Sequence, residues 1–585
     1  MKRLSITLSI IGLTSISFAQ EGTQATGKQD TTILKNIEVV KEYNPVIKES
    51  GKISTMPELK DIKTEKKNSD ISVWTVPYPI KPGETQTLDF ASVEPEKRKF
   101  AKERHAKLGF GNYTSFYGDF YTPLFKNDKN LLDFSATHNS TFGKVKLTPK
   151  LYEELPSELA SQATFNDTEG KLSYTHKFKR MKLSTFVWGN YTLLKRYGYD
   201  DEKLDLANSG VKETDNDSLK QSYFRLCSNI RFSNYKYSSS KWDYDCEANY
   251  RLLKTRDELS EHTIHTILRG SYHFDKSSFN LTYDMHNIIM DLPENNEIFT
   301  FENRETLNNY TMIKLIPSYR FKVDLGEINV GVKGTFCINQ GKKGAVTPDV
   351  YGKVRLIQNI LYVYAGVTGD YTMNNYQRIT KENPYISTDT RVEDTYMPID
   401  AYVGLSAKIA KRVNMDIHAG YKLIENPYFF VNRYDTLTDR IRNTFDVVYD
   451  EKAGMFNAGI RLDYQFESRF NATFIGEFNK WALSNIEEAW HKPKWKMNVQ
   501  TSYMATEFLK LRLGYLLETG KRALVKTSNV ALPNSHDLFV GADFSLFDWL
   551  SFYVNFDNVI SQEYENWYGY TCHRFNVMGG ASIIF

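Results

Sequence analysis

The sequence predicts an all-β chain: a transmembrane antiparallel β-barrel of about 22 strands, within a range of about 18 to 24, after a short N-terminal periplasmic segment. Three observations lead there. After the first residues no run of about 18 apolar residues occurs, so no membrane helix can be written. From about residue 105, apolar and polar residues alternate in segments of roughly 9 to 16 residues, long enough for a tilted strand to cross a bilayer. The connections between segments alternate short and long, as in barrels with tight periplasmic turns and long outer loops.

The chain opens MKRLSITLSIIGLTSISFA, with Lys2 and Arg3 before an apolar run and Ser17 and Ala19 as small residues, so residues 1–19 read as an export signal cut between Ala19 and Gln20. No Cys follows the cut, and no lipid anchor is expected there. Removing Lys2 and Arg3 leaves 72 basic against 71 acidic residues (74 − 2 against 71), a balance that gives no reason to expect nucleic acid as a partner. Residues 20–104 are rich in Lys, Glu and Thr, with one β-like patch, NIEVVKEYNPVI. They hold too few large apolar side chains for a core of their own and read as a periplasmic linker or a reduced plug.

Residues 105–585 are the barrel. In VNMDIHAGYKL, Val413, Met415, Ile417, Ala419, Tyr421 and Leu423 form one face, and Asn414, Asp416, His418, Gly420 and Lys422 the other. Short turns fall near 179–181, 274–277, 323–326, 466–468 and 546–549; long polar stretches include 197–219, 375–395, 425–452 and 561–573. Nine hairpins between 171 and 560, three strands between 105 and 151 and the last strand total 22, with 105–122 read as one long strand. A soluble sandwich or a propeller would use shorter strands. Trp188, Tyr191, Trp242, Tyr244, Tyr250, Trp481, Trp495 and Trp549 are candidates for interfacial girdles. The closing strand presents Phe575, Val577, Ala581, Ile583 and Phe585 on one face, an alternating set ending on an aromatic. Strand phase sends Cys227 and Cys246 to opposite faces, puts Cys337 on a polar face and leaves Cys572 in a loop, so free thiols are expected.

The final stretch, LSFYVNFDNVISQEYENWYGYTCHRFNVMGGASIIF, resembles the end of the barrel of TonB-dependent outer-membrane receptors, with Asn555, Phe556, Asp557, Tyr564 and Arg574 in the matching places and Cys572-His573 where Pro-Gly is usual. The resemblance implies a receptor or transporter in the outer membrane of a Gram-negative bacterium. It implies insertion by the barrel assembly machinery through the C-terminal residues. It also implies a plug domain, yet residues 20–104 carry neither the plug's glycine motifs nor a TonB-contact box.

No chemistry stands out. Eleven basic and eleven acidic side chains phase to the polar faces, among them Arg231, Lys422, Arg461 and Arg512 against Asp245, Asp400, Asp463 and Asp543, and these read as wall-bracing ion pairs. His262 and His265, three apart on a strand, point to opposite faces. Asp200, Asp201, Glu202, Asp205, Glu213, Asp215 and Asp217 gather in one loop, where solvation explains them better than calcium. No nucleophile elbow, phosphate loop or zinc helix motif occurs, so neither an enzyme nor a cofactor is expected. Two functions remain: a solute receptor or transporter with a reduced or absent plug, and a non-transporting scaffold in an envelope assembly or secretion complex. The expected partners are outer-membrane lipid, the assembly machinery, and a periplasmic or surface protein, for which Tyr428, Phe429, Phe430 and Tyr434 are candidate loop contacts.

Overall fold

The computed structural model describes residues 104–147, 160–208, 219–234, 241–291, 309–410 and 412–585. The expected signal peptide, with Ala19 and Gln20, and the segment 20–103 lie outside them, as do Glu213, Asp215 and Asp217.

The described residues build a single 22-stranded antiparallel sheet that closes on itself. Each strand pairs with its neighbours in sequence, and the first, His105–Gly111, pairs with both Ser115–Lys126 and the last, Asn576–Ile584. At the seam the Phe585 amide donates to the Arg104 carbonyl at 2.9 Å, and the Arg104 amide donates to the Phe585 carbonyl at 3.1 Å. Among the described residues no helix is long and apolar enough to cross a membrane.

The pattern of exposure is inside out, because the alternating apolar face of each strand points away from the ring. In Gly326–Ile338, Ile328, Val330, Val332, Phe336 and Ile338 are exposed, whereas Asn329, Thr335 and Cys337 are buried. So much exposed hydrocarbon is intolerable in water and is what a lipid-facing wall requires. On the inner face the charges pair as expected: Arg231 lies 2.6 Å from Asp245, Lys422 3.1 Å from Asp400, Arg461 2.8 Å from Asp463 and Arg512 2.8 Å from Asp543. All four cysteines are free thiols.

The total of 22 holds through two offsetting departures: the stretch after Asn130–Thr141 adds no barrel strand, since Lys144–Lys146 pairs outside the barrel with Ala160–Gln162, and the first element is divided. The segment 105–122 is two strands, His105–Gly111 and Ser115–Lys126, folded at a turn where Tyr113 and Thr114 take φ of 57° and 51°. Aromatic and β-branched residues rarely adopt that left-handed conformation, so nothing local in the sequence marks the bend. The girdle also needs two corrections. Trp188 points inward, its indole donating to Glu169 at 3.1 Å, and Trp481 turns in to pack edge-on against Phe429; each falls on the inward phase of its strand. At the short-turn end an outer ring series does form: Trp242, Tyr272, Phe274, Tyr319 and Phe321 pack successively, with centroids 4.6–6.3 Å apart.

Small residues at the seam let the first and last strands approach. Gly109 and Gly580 are register partners, and the buried Tyr553 ring lies over both. A Cβ on Gly580 would stand 2.0 Å from the Leu108 carbonyl oxygen and 2.7 Å from the Tyr553 ring. Backbone cannot yield as a side-chain tip can, so Gly580→Val should cost at least the 1–3 kcal/mol typical of overpacking, about that much or more. The expected outcome is a lower unfolding midpoint in detergent and loss of the heat-modifiable folded band on gels. A substitution that leaves both unchanged would show that the seam is not packed this way.

Candidate functional site

A ring of 22 strands encloses more space than its own side chains fill. The long connections answer this by folding inward over the mouth. They carry structure of their own: helix Asp201–Asn208, helix Tyr376–Glu382, hairpin Tyr428–Asp435 with Arg440–Tyr449, and hairpin Arg522–Val525 with Ser528–Ala531. Asn375 caps the second helix by accepting from the Arg378 amide at 3.0 Å, which together with Asp200 accepting from the Lys203 amide at 2.7 Å starts both helices in the usual way.

These connections meet across the opening. The helix Asp201–Asn208 follows the fifth barrel strand, whereas the hairpin at 428–449 joins the fifteenth to the sixteenth, ten places away (15 − 5) in a ring of 22. Yet Arg440 reaches Asp205 at 2.8 Å, the Ile441 amide donates to Asp201 at 2.8 Å and Asn443 donates to the Arg196 carbonyl at 2.8 Å. The helix Tyr376–Glu382, which follows the thirteenth strand, is fastened to the sixth and eighth strands and to the turn before the eighth. The Tyr376 amide donates to Glu261 at 2.7 Å, the Tyr223 hydroxyl to the Pro384 carbonyl at 2.8 Å and the Thr388 hydroxyl to Asp257 at 2.8 Å.

Aromatic rings fill the centre of this roof. Tyr385 and Tyr570 stack at 3.7 Å, Tyr197 stands edge-on to both, and Trp567 packs on Phe430 and Phe445. Buried polar groups fix its register. Glu382 accepts from Lys492 and from the Tyr428 hydroxyl, each at 2.5 Å; burial alone would raise its carboxyl, but the Lys492 charge, these two hydrogen bonds and the nearby Arg378 together outweigh it and hold the group below the ordinary carboxylate range. Arg433 grips Asp389 with two bonds of 2.6 and 2.8 Å.

His491 is the most constrained titratable group here. It is buried, its Nδ1 lies 2.9 Å from the Phe430 carbonyl, and its Nε2 accepts from the Tyr568 amide at 3.2 Å. That acceptor role requires the neutral ring, and burial pushes its pKa down to about 3.

The candidate loop contacts divide. Phe429 and Phe430 are fully buried in the roof's core, so they pack the chain against itself instead of offering a surface. Tyr428 is partly buried on Glu382, and Tyr434 is partly exposed, its hydroxyl donating to Asp439 at 2.7 Å. In the acidic loop Asp201, Glu202 and Asp205 are taken up by Ile441, Arg442 and Arg440. Phe575, Ile583 and Phe585 are exposed on the lipid face with Val577 and Ala581 in phase. Sequence reading missed Glu382, Lys492, His491 and Tyr570. Only His491 and Lys492 are neighbours in sequence; the four come from three different connections, and no spacing links those.

No protein-family model matches the sequence, and no curated protein matches it. Solved structures do. The siderophore receptor PirA from Acinetobacter baumannii is 9% identical with a TM-score of 0.60, over 83% of this chain and 81% of its own. The copper transporter OprC gives 9% and 0.58 over 84% and 81%, and FpvAI in its complex with pyocin S2 gives 11% and 0.59 over 83% and 70%. Identities this low show the fold alone: the described residues form a 22-stranded transmembrane β-barrel like the barrels of this siderophore receptor, this copper transporter and FpvAI.

Acid should loosen the roof around His491. A histidine whose folded pKa is depressed leaves the unfolded segment binding more protons, so stability is full above the unfolded pKa of about 6.5 and falls as pH drops from there toward 3. Glu382, also depressed, adds to the loss below its unfolded value near 4.5. Amide protection factors at Phe430 and Tyr568 should therefore fall between pH 7 and 5. His491→Gln, which cannot titrate, should flatten that dependence. Protection independent of pH in the unaltered protein would contradict the assignment.

Proposed function

We propose that the protein is a gated receptor-transporter: it captures a solute at the loop roof and passes it through the lumen, with residues 20–104 serving as a reduced plug. The observation that carries this reading is the roof itself. Its elements come from opposite sides of the ring and are held by breakable polar contacts and stacked tyrosines, an arrangement with two available states, docked and released. The paired charges of the inner wall suit a passage that is polar without favouring one sign of ion. The likeness to siderophore and metal receptors supports the class, and the polar composition of residues 20–104 supports their lying in a wet lumen.

Removing the central stack tests the gate. Tyr385→Ala with Tyr570→Ala deletes one partly buried and one buried ring, on the order of 3 kcal/mol or more from large-to-small change, while leaving the barrel wall untouched. In planar bilayers the altered protein should open more often and to a larger conductance than the unaltered one. Deleting residues 20–100 should separately raise leakage of large antibiotics into cells. Silent bilayers in every variant, together with a stoichiometric protein partner that co-purifies from membranes, would favour the scaffold instead.

A further inference from the structure

One cluster on the inner wall is used by none of the contacts above. His265 on strand Ser260–His273 and His286 on strand Ser277–Asp291 are register partners, and Asp284, two residues before His286, shares their face. His265 Nε2 lies 2.8 Å and His286 Nε2 3.2 Å from the same atom, Asp284 Oδ1. The two imidazoles stack with centroids 3.8 Å apart and planes 18° from parallel. One donor atom from each of the three residues lies within 4.8 Å of the other two.

From these positions we infer that His265, Asp284 and His286 form a binding site for a first-row divalent transition-metal ion, with zinc as the reference ion. In a tetrahedral zinc site with bonds of about 2.0–2.1 Å, neighbouring donors stand about 3.3 Å apart. The two nitrogen–oxygen edges need to lengthen by only a few tenths of an ångström to reach that. Two imidazole nitrogens and one carboxylate oxygen suit zinc, iron, nickel or copper better than calcium or magnesium, which prefer all-oxygen shells. Three protein donors leave a coordination position facing the lumen, open to water or to a ligand carried by the solute.

Two further observations favour metal over a plain hydrogen-bonded brace. Lys314, the register partner of Asp284 on the next strand, would neutralise that carboxylate if it turned toward it, but its ammonium is 2.6 Å from Asp370. The His265 Nδ1 is buried without a hydrogen-bond partner, so no second hydrogen bond fixes the ring, and the stack on His286 can open by the tilt that brings both nitrogens onto one ion. The side chains of His265, Asp284 and His286 are 12%, 22% and 23% exposed, enough for an ion to enter from the lumen.

The test uses the full chain, purified in detergent, free of any histidine tag and stripped with EDTA. Zinc is titrated by calorimetry, and cobalt(II) by visible absorption. The proposal expects a single equivalent of zinc and the intense absorption of four-coordinate cobalt. His265→Ala and His286→Ala should each weaken zinc by more than about tenfold, a loss that even a supporting group can cause. Asp284→Asn, similar in shape, keeps the wall intact and should also weaken binding. A heat-modifiable band confirms that each variant is folded. Absence of stoichiometric zinc in the unaltered protein would overturn the proposal, as would binding that survives unchanged in folded His265→Ala/His286→Ala protein.

Discussion

Hydrocarbon offers the peptide group no hydrogen-bond partner, and each unpaired group there costs several kcal/mol. A chain that crosses the membrane as strands must therefore pair its first strand with its last. Here the pairing of His105–Gly111 with Asn576–Ile584 meets that demand. Everything else is arranged around the closure. The strands turn their apolar faces outward because lipid lies there, glycines at the seam admit the Tyr553 ring, and both edges of the sheet disappear.

Closure at 22 strands creates the second problem, a wide mouth. Polar connections are poor material for a core, and the chain compensates by concentrating rings. Tyr197, Tyr385, Phe430, Phe445, Trp567 and Tyr570 come from four connections and bury one another where no single connection could. The buried ions among them stabilise less than they specify, since desolvation offsets much of their attraction. Their value lies in register: Glu382 can satisfy both Lys492 and Tyr428 in one arrangement of the helix and hairpin. Contacts of that kind fix the docked arrangement of the roof.

The barrel was legible because period-two alternation is local and repeats many times, so strand number and lipid face follow from counting. Where a feature depended on one unusual conformation, as at Tyr113 and Thr114, the count survived but the boundary did not. Trp188 and Trp481 show the limit of residue type as a guide. Both are aromatic, but strand phase decides their direction. The roof was illegible for a different reason, because its partners lie tens to hundreds of residues apart and meet only through the ring's geometry. The His265–His286 pair lies between these cases. Seen along one strand, His265 has only His262 nearby, on the opposite face. Folded about the short turn at Asp275 and Lys276, residues 265 and 286 are equidistant from its centre and must face each other, so the hairpin register held the signal that single-strand spacing lacked.

The most direct test of the account is a cross-link at the closing seam. Lys107 and Ser582 are register partners facing the lumen, so in a background without native cysteines Lys107→Cys with Ser582→Cys should oxidise to an intramolecular disulfide in membranes. The offset pair, Lys107→Cys with Ile584→Cys, should react much less. Efficient linkage of the matched pair alone is the predicted result. No linkage, or equal linkage of both pairs, would mean that the first and last strands do not meet in this register and that the ring is not closed as described.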